Sequence, residues 1–156
     1  MNYRKGVVVF ALNLLFVFGC SGEPQIVFSE ELFAVYPSNP EQFKQQYGGT
    51  LIYYPAKKGV QQKMANINKA IIDGDGYQVV FWKAKGYYIH HIIFRSNAIK
   101  VGGVALIGKS VNEVIGTFGE PTQRTKDALI YMAHEITLTV GFENGVITDC
   151  YWGHEV

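Results

Sequence analysis

From Ile136 to Phe142 apolar and small or polar residues alternate. Ile136, Leu138, Val140 and Phe142 fall on one side, Thr137 and Thr139 on the other. A period of two with one apolar side predicts a half-buried antiparallel strand. Glu143-Asn144-Gly145 follows, and Asn-Gly is a strong hairpin signal. VITDCYW then returns as the last strand, and ALIYMAH precedes the pair. YQVVFWK and YYIHHIIFRS lie either side of AKG, which predicts a second hairpin over residues 77–96. TLIYY (50–54) reads as a short strand before Pro55, and KVGGVALIG (100–108) as a further extended piece.

Other segments carry the helical period. In SNPEQFKQQYGG, Asn39 can cap, Pro40 suits the first helical position and Gly48 can close the end. In GVQQKMANINKAIIDGDG, Val60, Met64, Ile67 and Ile71 make a four-three-four stripe, which predicts an amphipathic helix. In IGKSVNEVIGTFGEP, Ser110 and Glu113 form a capping box, and Val111, Val114, Ile115 and Phe118 form a stripe. Gly119 is placed for a left-handed cap before Pro121, and Gly116 invites close approach to a sheet. IVFSEELFAVYP is a strand or a short helix. The sum is two or three helices and five to seven strands. The expected fold class is α+β, an antiparallel sheet with two or three helices packed on one face.

The chain opens MNYRKGVVVFALNLLFVFGC. Arg4 and Lys5 precede an apolar run from Val7 to Phe18, which is short of the ~20 residues that a membrane span needs. This pattern describes a secretory signal peptide. Val17-Phe18-Gly19-Cys20 resembles the lipobox of bacterial lipoproteins, which implies that Cys20 is lipidated and becomes the acylated first residue. Ser21 stands where an Asp would resemble an inner-membrane retention signal, so the resemblance implies the outer membrane. Val17 and Gly19 also suit ordinary cleavage and secretion to the periplasm. The expected organisation is a signal peptide over 1–19, a tether over 20–26 and one domain over 27–156.

Composition narrows the function classes. The chain has 14 Lys+Arg against 13 Asp+Glu, and Arg4 and Lys5 leave with the signal peptide. No basic excess remains for nucleic acid or anionic lipid. With Cys20 lipidated, Cys150 has no partner in the chain, and its apolar surroundings predict burial.

The candidate chemistry is sparse. GVALIGKS (103–110) matches the pattern of a phosphate-binding loop. Its middle is an apolar run suited to a strand, and Ser110 is better explained as a helix cap. His90 and His91 are adjacent in a strand, so they are expected to face opposite sides and not to share a metal. A site assembled across strands from His91, His134 and Cys150 has no closely spaced ligand pair to support it. No nucleophile elbow is present. The reading assigns no catalytic residue, no metal site and no cofactor. Aromatics crowd the strands, and Trp82, Tyr87, Tyr88, Tyr151 and Trp152 are the candidate protein contacts.

The order G-K-S-x-x-E-V-x-x-x-F-G-x-P, a tyrosine-bearing strand, then T-L-T-V-x-F-x-x-G-V-I, covers residues 108–148. It resembles small envelope lipoproteins of the BamE (SmpA/OmlA) type and the related β-lactamase-inhibitor-protein-like domains. The matching positions include Gly108, Ser110, Glu113, Phe118, Gly119, Pro121, Tyr131, Leu138 and Gly145. The resemblance implies a two-layer sandwich and a role in binding protein. The expected function is a membrane-anchored, periplasm-facing accessory or scaffold with an envelope protein partner. The alternative is a periplasmic inhibitor or immunity protein that blocks an enzyme.

Overall fold

The computed structural model describes residues 26–29, 31–56 and 67–154. The signal peptide, Cys20 and most of the tether lie outside these residues, as do Val60 and Met64. Ile26, at the end of the expected tether, is already tied to the domain, its N–H donating to the Thr117 carbonyl at 2.9 Å.

Among the described residues eight strands form one antiparallel sheet. They are β1 (Thr50–Tyr54), β2 (Asn68–Gly74), β3 (Tyr77–Lys83), β4 (Tyr87–Phe94), β5 (Gln123–Arg124), β6 (Ala128–Ala133), β7 (Ile136–Glu143) and β8 (Val146–His154). The spatial order is β1-β2-β3-β4-β8-β7-β6-β5. Two meanders, β1 to β4 and β5 to β8, therefore lie with their last strands side by side. Three helices among the described residues accompany the sheet: α1 (Glu31–Ala34), α2 (Pro40–Tyr47) and α3 (Val111–Phe118).

The expected α+β sandwich is corrected by these dimensions. The described chain is 17% helical and 47% strand. At about 4.8 Å per strand step the sheet is roughly 34 Å wide, whereas an eight-residue helix is about 12 Å long. α1 buries Phe33, α2 Pro40 and Phe43, and α3 Val111, Val114, Thr117 and Phe118, but the helices are too short to build a layer across the sheet. The helix read through Ile71 is contradicted over its described end. Residues 68–74 are strand β2, paired with β3 along its whole length and with β1 from Lys69 to Asp73. At Ile67 and Ile71 the spacing does not mark a helix. The local run Ala70-Ile71-Ile72 is largely β-branched, and Asp75-Gly76 makes the tight turn that pairs it with β3.

Register sorts the side chains into two faces. On the covered face one row runs from Leu51 through Ile72, Val79, Ile92, Trp152 and Leu138 to Tyr131. All but Leu51 are buried. Phe43 of α2 meets Phe81 edge-on at 5.7 Å, and Phe33 of α1 meets Trp152 at 4.7 Å. Phe118 of α3 lies 5.8 Å from the ring of Tyr131, whose hydroxyl donates to the Gly119 carbonyl.

The caps form where the sequence places them. Asn39 Oδ1 accepts from the Glu41 and Gln42 N–H groups. Ser110 Oγ accepts from the Glu113 N–H at 3.3 Å, while the Glu113 carboxylate accepts from the Ser110 N–H at 2.8 Å. The hairpin over Asn144-Gly145 has both residues at positive φ, 52° and 79°, the geometry that matches strand twist. KVGGVALIG does not become a strand. Its glycines turn the chain so sharply that Val101 pairs with Val104.

Gly116 does not permit close approach to the sheet. It is exposed on α3, and a side-chain carbon there would meet nothing within 4 Å. Its cost is then purely that of glycine in a helix. Gly116→Ala is expected to stabilise the protein by about 0.5–1 kcal/mol. A denaturant midpoint that fails to rise, with unchanged slope, contradicts the open environment described for this position.

Candidate functional site

The second face of the sheet carries the unexpected chemistry. One row runs from Ile52 through Ile71, Val80, His91, Gly153 and Thr137 to Met132. A second joins Tyr54, Lys69, Trp82 and Tyr88, and a third joins Gln78, Ile93, Tyr151 and Thr139. Ile52, Tyr54, Tyr88, Ile93 and Met132 are between 37 and 44% exposed. This face is open over much of its extent, and it is rich in rings.

At its centre β4 breaks step. Val80 pairs with His91 and Phe81 with Ile89, so His90 is an extra residue opposite the Val80–Phe81 step. Such a bulge resets the alternation of the strand. Its effect on the histidines corrects the expectation that they face opposite sides. His90 Nδ1 and His91 Nδ1 are 2.8 Å apart. The Trp82 indole stacks on the His90 ring at 3.6 Å and 22°, which places both histidines on the open face. His91 in turn stacks on Tyr151 at 5.4 Å.

The pair shares one proton. A hydrogen bond between two Nδ1 atoms requires one ring to be protonated there and the other to be a bare acceptor. Burial lowers the pKa of His90 to about 4, helped by the charges of His91 and His154. Burial also lowers that of His91, with Lys69 adding to the shift. Both rings are therefore neutral at pH 7.

Close strand approach makes the cluster possible. Gly153 pairs with His91 across the β4–β8 junction. A side-chain carbon on Gly153 would overlap His91 Cβ and the His90 carbonyl oxygen. Beyond this pair the strands part: β4 runs on to Tyr87, while His154 of β8 pairs only with Ile136 of β7. A cleft of about 410 Å³ opens there, lined by Phe33, Tyr36, Tyr88, Ile89, Ile136 and His154.

The candidate contact residues divide between the faces. Trp82, Tyr88 and Tyr151 lie on the open face. Tyr87 lies on the other, paired with Lys83 and 6.1 Å from the Tyr53 ring. Trp152 is corrected outright. It is fully enclosed between strands and α1 and cannot meet a partner. Its position two residues from Cys150 on a strand of period two could have placed it with the core. Cys150 is itself buried, and burial raises its thiol pKa well above the usual range. Being on the covered face, it is not brought to His91. Among the described residues no group of three or more His, Cys, Asp or Glu is placed to share a metal ion.

The phosphate-loop pattern is absorbed by structure. The Gly108 N–H donates to the Ile147 carbonyl and the Lys109 N–H to the Leu106 carbonyl. The Lys109 ammonium pairs with Glu113 at 3.7 Å. These donors face the protein and form no anion cradle.

The fold and site thus define a single-sheet antiparallel β protein with one covered and one ring-bearing face. No family model, characterised protein or solved structure matches the chain, and nothing identifies a BamE-type or β-lactamase-inhibitor-like domain.

Two outcomes follow from this geometry. His90 is neutral when folded and titrates near 6.5 when unfolded, so its stability contribution is complete above about pH 6.5. It is lost as pH falls toward 4, by at most roughly 3 kcal/mol. His90→Phe keeps the stack on Trp82 and is expected to flatten that slope in denaturation measured from pH 7 to 4; an unchanged slope refutes the assignment. Gly153→Ala is expected to destabilise by about 1–3 kcal/mol through overpacking against backbone. A thermal midpoint equal to that of the parent contradicts the tight β4–β8 approach.

Proposed function

We propose that the chain is a lipid-anchored binding module of the bacterial envelope, held by acyl chains on Cys20 and docking a protein partner on its open sheet face. The supporting observation is that the exposed Ile52, Tyr54, Tyr88, Ile93 and Met132 all belong to that one face by register. Exposed apolar side chains gathered on one face mark interaction sites. The rings gather over β1 to β4 and β8, whereas β7 contributes Thr137 and Thr139. An aromatic centre with a polar border is the anatomy of a protein interface.

The size is sufficient. A face of roughly 34 Å by 20 Å, on the order of 700 Å², compares with about 800 Å² per partner in a standard interface. The anchor concentrates the domain at the membrane, since two or more acyl chains hold a protein stably where one does not.

Photo-crosslinking from the open face tests this reading in membranes. Cross-linkers at Ile93 and Ile52 are expected to give one discrete protein adduct, lost on Tyr88→Asp. A cross-linker at Lys126, in the exposed loop before β6, is expected to give none. Absence of an adduct from the open face, or an equal one from Lys126, overturns the proposal.

A further inference from the structure

The His90–His91 pair is more specific than a docking face requires. The two Nδ1 atoms are 2.8 Å apart and the ring centroids 5.1 Å apart. The difference is what two imidazole radii supply, so the nitrogen lone pairs point nearly straight at one another. The rings are close to perpendicular, at 77°, which removes steric contact between them. Two neutral donors on one axis are the ligand set of a linear, two-coordinate ion.

We propose that His90 and His91 form a two-coordinate site for a soft monovalent d¹⁰ cation, Cu(I) or its redox-inert counterpart Ag(I), held between the two Nδ1 atoms.

The neighbours favour that class of ion. Zn(II) takes four ligands in its structural sites, and no third metal ligand is assembled here among the described residues. Lys69 faces His91 from β2 and repels a divalent ion more than a monovalent one. His154, from β8, has its ring 5.9 Å from that of His90. The indole over His90 offers a π surface that attracts cations.

Binding requires a small motion. A linear site spans about 4 Å, twice a metal–imidazole bond of about 2.0 Å, so the pair must open by roughly 1 Å. His90 is clamped under Trp82. His91 is half-buried and stacked on the Tyr151 ring, so the opening falls to it. Protons balance without release: the Nδ1 proton of one ring moves through solvent to its own Nε2, both rings stay neutral, and two N–metal bonds replace one hydrogen bond.

The site extends beyond the docking reading and stands apart from it. A chain that takes up Ag(I) but cross-links nothing keeps the site and removes the interface. The test uses the full chain with Cys20→Ala and Cys150→Ala, so that no thiolate competes, titrated with Ag(I) and followed by native mass spectrometry and tryptophan fluorescence. One Ag(I) per chain is expected, with a fluorescence change that Trp82→Phe removes. His91→Gln removes one of the two ligands and is expected to abolish one-equivalent binding, and His154→Phe to leave it unchanged. Failure to bind one equivalent, or binding that survives His91→Gln, overturns the site. In the unaltered chain, ¹⁵N resonances of both Nδ1 atoms are expected to move together on adding Ag(I). This arm does not depend on the cysteine variant folding, and unmoved resonances overturn the proposal.

Discussion

The whole sheet depends on a junction of four residue pairs. His91 to Phe94 of β4 lie against Gly153 to Cys150 of β8, and only there are the two meanders hydrogen-bonded to each other. Within each meander the strands are joined by hairpins or short loops, except for the longer connection between β1 and β2. Such pairings are local and close early at small entropic cost. The β4–β8 contact closes last in this sense, because residues 95–145 lie between the two strands. Its covered side carries Ile92 against Trp152 and Phe94 against Cys150, all fully buried. At about 1.5–3 kcal/mol for each large side chain, burial outweighs what four strand pairs contribute alone.

The open side of the same junction is where regularity is given up. A glycine at 153 lets β8 come close enough to leave room for His91, and the bulge at His90 turns a second imidazole to that side. Neither feature serves the core. His90 loses hydration, which its lowered pKa records, and a bulge forfeits part of a ladder. Departures from local regularity that bring no packing gain concentrate at functional sites. Trp82 and Tyr151 add to the pattern, each stacking its ring on one histidine of the pair.

Much of the framework was legible in the chain. The Asn39 and Ser110 caps, the Asn144-Gly145 hairpin and the alternation of 136–142 are local signals, and local chemistry decided them. The helix read into 59–76 failed at β2 because apolar spacing does not record that Ala70, Ile71 and Ile72 lie between two paired strands. Ile71 belongs with Ile52 and Val80, a fact about pairing and not about its own segment. The site was misread for the same reason. Strict alternation separates His90 from His91, and nothing in YYIHHIIF announces an extra residue. Only the partner register, Phe81 to Ile89 and Val80 to His91, reveals it. Trp152 was assigned to the surface on residue type, although its period with Cys150 pointed inward.

Trp152 shows how far the junction constrains its residues. Its indole Nε1 is buried and, among the described residues, is the one buried side-chain polar atom without a hydrogen-bond partner. Leaving such a donor unpaired costs about 1–3 kcal/mol. Its ring nevertheless meets Phe33 and Tyr36 edge-on, at 4.7 and 5.8 Å, and these bring α1 and the turn after it onto the sheet. A smaller side chain would satisfy the donor count by removing it, and would leave the row between Ile92 and Leu138 unfilled. Cavities at such positions cost about 2–5 kcal/mol, more than the orphaned N–H. The balance explains a tryptophan where hydrogen bonding alone would forbid one. It also explains why the histidine pair lies on the opposite face, where β4 can bulge without opening a void beneath it.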